Sequence, residues 1–245
     1  MLSGYALLLH ASRHPNRWIA SARDWLPLPL MPLAYRQMGW FAPANHSHTL
    51  EQSWIGWDRM LFDWGFGRAI ESLGLLLPAL LEASYLTVYA VPTFSMAYLA
   101  LTGRGGRMNH FLTVFLAGIY MAYAQFPFWP SEPPRTLYPG LDAPTVDTVF
   151  RRLNGHFLGV HGIHTSVFPS AHVSSVFAAA IGMRRAAPEN PFIYRGLFLY
   201  ATAVALATVY GRYHYSVDAL AGGCVAWAAA ALTGRIWPCS TTRPR

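Results

Sequence analysis

Histidines stand beside other polar side chains in two short segments of the last third of the chain. The first segment reads Phe-Pro-Ser-Ala-His over residues 168–172 and is followed by a long apolar run. Proline at the start of such a run favours the first turn of a helix, where free backbone amides and the helix dipole attract phosphate oxygens. Ser170 adds a hydroxyl group, and His172 in the same turn can reach a leaving-group oxygen. We therefore predict that Ser170 binds phosphate and that His172 acts as a general acid.

The second segment reads Tyr-Gly-Arg-Tyr-His-Tyr-Ser-Val-Asp over residues 210–218. His214 and Asp218 are four residues apart, so they share one face if the segment is helical. A carboxylate beside an imidazole fixes its tautomer and leaves the other ring nitrogen free to attack an electrophile. Arg212 has the planar donor set that clamps phosphate oxygens, although snorkelling to a membrane interface accounts for an arginine here equally well.

A third segment, Pro133-Pro134-Arg135, follows an apolar run that ends near residue 128. The two prolines stiffen the backbone and fix where the arginine points. We predict that Arg135 binds phosphate, and the alternative role is an anchor to lipid head groups.

The elements that position these segments are predicted to be membrane helices. The chain has 245 residues, of which 53% are apolar and 12% charged, whereas a soluble domain carries about a quarter charged residues. All 18 basic residues are arginines, and they lie between apolar stretches. That distribution is typical of a membrane protein, and it argues against a nucleic-acid partner, which would require a basic stripe on a polar domain.

A helix needs roughly 20 apolar residues to cross a bilayer. On this criterion the chain is an all-α, polytopic protein with one integral membrane domain over residues 1–245. Six spans are predicted, near residues 25–43, 83–102, 108–128, 168–183, 196–211 and 219–234, with outer loops at 44–82 and 129–167.

The arginines set the predicted orientation of these spans. With six spans, most arginines fall on the face that holds both termini, and this face is cytoplasmic by the positive-inside rule. All three polar segments then emerge on the opposite face, toward periplasm, cell exterior or lumen.

The sequence predicts neither a metal site nor a cofactor. Cys224 and Cys239 are too few for a disulfide framework or a cysteine metal site. The histidines at 156, 161 and 164 lack a cysteine or acidic residue nearby, so we interpret them as part of a polar loop.

Two of the segments resemble motifs of a known family. Residues 169–172 and 212–218 are similar to the second and third motifs of the type-2 phosphatidic acid phosphatase superfamily, which includes the vanadium haloperoxidases. The tyrosine-flanked His214 and the Pro-Pro-Arg segment more closely resemble its inositol phosphorylceramide synthase-like branch. By span layout the resemblance extends from Trp25 to Leu232.

The resemblance implies a core of six helices and metal-free phosphoryl transfer. His214 would be the nucleophile and form a phosphohistidine, with Asp218 orienting it. His172 would protonate the leaving alcohol and then activate water or an acceptor alcohol. The substrate would be a membrane lipid or polyprenyl phosphate, and the acceptor water or an alcohol such as inositol or a sugar. The phosphate oxygens would be held by Ser170, Arg135 and Arg212.

The chain also departs from the superfamily pattern. The first motif of the superfamily begins with lysine, and this chain contains none. The arginine of the third motif is replaced by Thr208. These differences leave open a non-catalytic membrane scaffold or lipid-transport protein on the same helices. A vanadate-dependent haloperoxidase is a further alternative.

Overall fold

The computed structural model describes residues 17–43 and 45–236. Within these ranges the regular structure is helical, apart from one bridge between Ser131 and Ser166. The helices are α1 (Arg17–Trp25), α2 (Pro27–Met38), α3 (Thr49–Asp63), α4 (Phe66–Glu71), α5 (Leu76–Leu86), α6 (Val91–Leu101), α7 (Met108–Tyr123), α8 (Pro134–Leu137), α9 (Val149–His161), α10 (Ala171–Ala186), α11 (Pro191–Tyr210) and α12 (Ser216–Ile236). Cys239 lies outside the described residues. The same is true of Arg13, Arg243 and Arg245, three of the arginines from which the orientation of the spans is predicted.

Contacts divide the chain into two units, residues 1–37 and 38–245. In the first unit, the described residues form α1 and nearly all of α2, and Pro32 lies inside α2. The predicted span near 25–43 therefore corresponds mainly to a helix of 12 residues, shorter than the roughly 20 needed for a crossing.

Helix α10 is the centre of the second unit. It packs against α7, α11 and α12, and α12 also packs against α7. Small residues allow this close approach. A Cβ on Gly118 of α7 would lie 2.5 Å from the Cβ of Ala178, and the hydroxyl of Ser174 donates to the Gly118 carbonyl at 2.9 Å. The tight packing fixes the start of α10, where His172 lies.

Two helices of the described part are long and apolar enough to cross a membrane, Pro191–Tyr210 and Ser216–Arg235. They overlap the predicted spans at 196–211 and 219–234, but begin five and three residues earlier, while their ends agree to within one residue. The predicted spans near 83–102, 108–128 and 168–183 correspond to shorter helices, and their membrane crossing stays a prediction.

The predicted span at 83–102 is interrupted. A 3₁₀ turn, Thr87–Ala90, separates α5 from α6. The cause is Pro92, which has no N–H to donate to the Val88 carbonyl, so the amide of Val91 makes the tighter bond to that carbonyl instead. The turn places Tyr89 beside the start of α10.

The two predicted outer loops contain helices. Residues 44–82 include α3, α4 and part of α5, and residues 129–167 include α8 and α9. The interpretation of the histidines at 156 and 161 as part of a polar loop was wrong, since both lie on α9, whereas His164 follows the helix. Thr148 caps this helix by accepting from the amide of Arg151 at 3.0 Å, and Asn154 holds it to α5 by donating to the Glu82 carboxylate at 2.8 Å.

Candidate active site

The three polar segments meet at one place in the second unit. The amide of Ser170 donates to the backbone carbonyl of Asp218 at 3.0 Å, and the amide of Arg135 donates to the carbonyl of Arg212 at 3.1 Å. Gly222 of α12 permits the first contact, because a Cβ there would lie 2.5 Å from the Ser170 carbonyl oxygen. The backbone therefore ties the residues before α10, the residues before α12 and the Pro-Pro-Arg segment together.

His172 is the second residue of α10. Its ring lies next to the rings of Tyr85 and Tyr89, with centres 4.9 and 5.5 Å away. Its Nε2 atom is 2.8 Å from the Tyr89 hydroxyl. On another side, its ring centre is 5.8 Å from that of His214. The two histidines predicted to act in one reaction therefore face each other.

His214 and Asp218 lie close together, but not because both are helical. His214 precedes α12, which begins at Ser216. Asp218 turns back toward it, and its Oδ2 accepts from the amide of Tyr215 at 2.9 Å and lies 3.4 Å from His214 Nδ1. This approach is not a hydrogen bond in the described structure, but contacts between catalytic groups are often long or poorly aligned before substrate binds.

The environment of His214 favours its neutral form. Burial, the neighbouring His172 and the charge of Arg135 lower the pKa of His214 well below its usual value, and a hydrogen bond to the Val167 carbonyl opposes them only in part. An imidazole with a lowered pKa is unprotonated at pH 7, which is the state that a nucleophile requires.

A tight turn between α11 and α12 sets the direction of these groups. The carbonyl of Thr208 accepts from the amides of Tyr213 at 2.9 Å and His214 at 3.0 Å. Gly211 leaves room for the turn, because a Cβ there would lie 2.3 Å from the Tyr213 ring. Arg212 takes a left-handed backbone conformation with φ of 60°, which is uncommon for a residue other than glycine.

Arg212 is buried and held by an acid. Its Nη1 donates to Asp58 Oδ2 at 2.7 Å, and its guanidinium lies 4.8 Å from the centre of the Phe62 ring. Its Nε and Nη2 atoms are also buried, and they have no hydrogen-bond partner among the described residues. Interface snorkelling does not describe this side chain, since only 1% of it is exposed. Two free donors on a buried cation suit an anionic ligand.

Arg135 packs against an aromatic ring. Its guanidinium lies 5.7 Å from the centre of the Tyr213 ring, which itself stacks on Tyr85 at 4.3 Å. The Tyr213 hydroxyl donates to Glu82 at 2.5 Å. Burial and the charge of Glu82 raise the pKa of Tyr213, so this hydroxyl keeps its proton and the ring stays fixed.

Ser170 has a structural role in the described chain. It is the N-cap of α10, and its hydroxyl accepts from the amide of Val173 at 3.4 Å. The predicted helix start is therefore shifted, since Pro169 precedes the cap instead of lying in the first turn. The amino-terminal end of α10 places the positive end of the helix dipole beside His172. Phosphate binding by this helix end stays a prediction.

Sequence reasoning missed Asp58 and Tyr89. Asp58 lies on α3, and its Oδ1 accepts from the amide and the hydroxyl of Ser216 at 2.9 and 2.7 Å. Asp58 therefore positions both Arg212 and the first residue of α12. The sequence spacing of Trp54, Asp58 and Phe62 could have indicated that Asp58 is buried. Residues four apart lie on one face of a helix, so Asp58 shares a face with the two aromatic residues.

Replacing Asp58 by alanine is expected to destabilise the protein strongly. It leaves the buried charge of Arg212 without its partner, and breaking a buried ion pair costs about 3–5 kcal/mol. Thermal unfolding in detergent measures the change, and a fall of several degrees in the melting temperature is expected. Asp63→Ala on the same helix is the control, since Asp63 pairs with Arg59 at the surface. Equal melting temperatures for the two variants would show that the pair does not stabilise the fold.

One group of described side chains could hold a metal ion. His46, His48 and Glu51 each place a ligand atom within 4.8 Å of the others. Hydrogen bonds occupy part of this group, since Glu51 Oε1 accepts from the amide of Glu132 at 3.0 Å and lies 2.5 Å from His46 Nε2. Glu51 Oε2 and His46 Nδ1 are buried with no hydrogen-bond partner among the described residues. Burial raises the pKa of Glu51, but these bonds outweigh it and hold the pKa below its usual value. The ionised carboxylate of Glu51 holds the backbone amide of Glu132 in place, three residues before Arg135.

Comparison with known proteins gives one match. A family model described as the PAP2 superfamily matches residues 58–232, more than two thirds of the chain. No curated protein and no solved structure shows significant similarity to the chain. The matched region begins at Asp58 and contains all six side chains predicted to act on phosphate, whereas the group around Glu51 lies outside it.

Proposed function

The chain belongs to the PAP2 superfamily, and on that basis we propose that it is a membrane-embedded phosphoesterase with a histidine nucleophile. Membership supports phosphatase or phosphotransferase chemistry in general. The observation that carries the finer proposal is the pair of facing imidazoles, His172 and His214, with ring centres 5.8 Å apart. Arg212 supplies two buried donors nearby on the same turn. A phosphoryl group at this place has a nucleophile, an acid and a cation within reach.

The first chemical step forms a phosphohistidine. His214 attacks phosphorus with the ring nitrogen that does not face Asp218, after this nitrogen has released the Val167 carbonyl and the ring proton has moved to Nδ1. As the nitrogen–phosphorus bond forms, the bond from phosphorus to the leaving oxygen breaks, and His172 supplies the proton that this oxygen needs. Asp218 stabilises the positive charge that develops on the His214 ring. Arg212, Arg135 and the amino-terminal end of α10 bind the remaining phosphate oxygens.

The second step releases the phosphoryl group. Water or an alcohol attacks phosphorus, His172 takes its proton, and the bond to His214 breaks. Water gives a phosphatase, and an alcohol such as inositol or a sugar gives a head-group phosphotransferase. The inositol phosphorylceramide synthase-like features, which are the tyrosines beside His214 and the Pro-Pro-Arg segment, support transfer.

The surface of the last two helices supports a place in the bilayer. Along α11, Phe192, Leu199 and Leu206 recur every seven residues and are all exposed, Leu199 by 74%. Along α12, Leu220 and Trp227 have the same spacing and are exposed by 72% and 54%. Large exposed apolar side chains that recur on one helix face are typical of a surface that contacts lipid or another protein. We propose that they face lipid, as two members of six membrane-spanning helices.

A site in the bilayer favours a lipid or polyprenyl phosphate as the substrate. Such a substrate keeps its chains in the hydrocarbon layer while its phosphate reaches the histidines. The arginine distribution supports an active site on the extracytoplasmic face and both termini in the cytoplasm.

The test is product analysis with purified protein in detergent. A panel of lipid and polyprenyl phosphates is incubated with and without inositol, next to the variant His214→Ala. Phosphate release that depends on His214 identifies a phosphatase. A new phosphodiester that forms only with an acceptor alcohol identifies a transferase. Well-folded protein that turns over no member of the panel contradicts the proposal and favours a scaffold or lipid-transport protein.

Chelators are expected to leave the rate unchanged. None of the residues proposed for the reaction belongs to the group of His46, His48 and Glu51. Turnover is measured with and without EDTA after prolonged dialysis. Loss of activity that a divalent cation restores would show that the reaction needs a metal.

A further inference from the structure

The hydroxyl of Tyr89 lies next to the nitrogen atom of His172 that gives up a proton in the proposed reaction. It lies 2.8 Å from His172 Nε2, and the two rings meet edge to face with an interplanar angle of 81°. Phe157 of α9 packs against the Tyr89 ring at 5.1 Å. The 3₁₀ turn made by Pro92 holds the tyrosine at this point. The contact is therefore fixed by packing from two elements.

Tyr89 also leads from the histidine toward the surface. Half of its side chain is exposed, whereas His214 on the other side of His172 is 4% exposed. A leaving alcohol departs from the accessible side, and an acceptor arrives from there. The tyrosine hydroxyl is the group that contacts His172 Nε2 on that side.

We propose that Tyr89 is a catalytic residue that relays the proton between His172 and the alcohol oxygen. This inference rests on the proposed function, in which His172 is the acid. In the first step, His172 Nε2 gives its proton to the Tyr89 oxygen, and the Tyr89 hydroxyl proton passes to the leaving oxygen as its bond to phosphorus breaks. In the second step, water or an acceptor alcohol gives its proton to the Tyr89 oxygen, and the Tyr89 proton returns to His172. Tyr89 is neutral before and after each step.

The chemistry of the groups suits a relay. A tyrosine has a pKa near 10, which lies between those of an imidazolium and an aliphatic alcohol. It can therefore pass a proton from the first to an oxygen that is becoming an alkoxide. A relay also explains why the acid of the site contacts a hydroxyl and not open solvent.

The variant Tyr89→Phe tests the relay through its dependence on the leaving group. The two substrates share one phosphoryl group and differ in the leaving alcohol, one aliphatic and one p-nitrophenol. An aliphatic alkoxide needs a proton to leave, whereas p-nitrophenolate does not. We expect the rate of the first step, measured as release of the leaving alcohol in a single turnover, to fall at least about tenfold for the aliphatic ester and to stay within about twofold for the p-nitrophenyl ester. His172→Gln is expected to give the same pattern, and the double variant to be no slower than His172→Gln alone.

The matched control is Tyr200→Phe. Its hydroxyl donates to the Ser84 carbonyl at 2.6 Å and lies 2.9 Å from Thr87 Oγ1, so this change removes a half-buried tyrosine hydroxyl from the same region without touching His172. Equal slowing of both esters by Tyr89→Phe, or no slowing of either, would overturn the relay while leaving the proposed function intact. Equal loss of the first-step rate for both esters in His172→Gln, with retained fold, would instead contradict the assignment of the acid.

A measurement on the unchanged protein avoids any effect of the variant on folding. The rate for the aliphatic ester is followed in mixtures of light and heavy water. Two protons move together in a relay, so a curved dependence on the deuterium fraction is expected. A linear dependence would show that one proton moves, and it would overturn the relay.

Discussion

The variant His214→Ala is expected to lose turnover, by at least about a thousandfold, while keeping its fold. The loss follows from removing a nucleophile whose partners remain in place, and nucleophile replacements in other enzymes abolish almost all of the rate. The fold is expected to persist because the backbone amide of His214, which donates to the Thr208 carbonyl at 3.0 Å, does not depend on the side chain. Turnover of the p-nitrophenyl ester measures the loss, because this ester does not need the acid.

The control for this variant is His164→Ala. His164 is an exposed histidine in the segment before α10, and its loss is expected to leave the rate unchanged. A His214→Ala variant with near-normal turnover and an unchanged melting temperature would exclude His214 as the nucleophile.

The second large effect is expected for Asp218→Asn. The asparagine can still accept from the Tyr215 amide through its side-chain oxygen, so the start of α12 keeps its hydrogen bond. The same oxygen faces His214 Nδ1, but it no longer carries a full negative charge, so the positive charge that develops on the His214 ring loses its stabilisation. In a serine protease the same replacement lowers kcat about 10⁴-fold. We expect a fall of about 10²–10⁴-fold here, in kcat more than in KM.

Asp147→Asn is the matched control for this replacement. Asp147 pairs with Arg152 at the surface, and its replacement is expected to change neither kcat nor KM. A uniform rise in KM for Asp218→Asn, with kcat unchanged, would assign Asp218 to substrate binding and not to the orientation of His214.

Local patterns predicted the parts of the site that are close together in the sequence. The apolar run after His172 predicted α10, and the runs at 196–211 and 219–234 predicted the two longest helices, because burial or lipid contact selects apolar residues along a whole helix. The proximity of His214 and Asp218 was predicted from helical spacing, but a turn followed by the first residues of α12 produces it.

Pairings between distant segments could not be predicted in this way. Asp58 and Arg212 are 154 residues apart, and no periodicity within either segment indicates the other. Nothing within residues 44–82 indicated that Glu51 and Asp58 are buried, since acids on a helix normally mark a solvated face. Both carboxylates are fully buried. Each is stabilised by donors from another part of the chain, Glu132 in one case and Arg212 and Ser216 in the other.

The most direct test of the central claim is to trap the intermediate. The protein is mixed with a substrate labelled with ³²P at the reacting phosphorus and quenched in alkali within the first turnover. We expect labelled protein in which the label resists alkali, is released by acid and maps to His214. The label is expected to be absent from His214→Ala and present in His164→Ala. A label on another residue, or an unlabelled protein that turns over substrate in a concerted step, would contradict a phosphohistidine at His214.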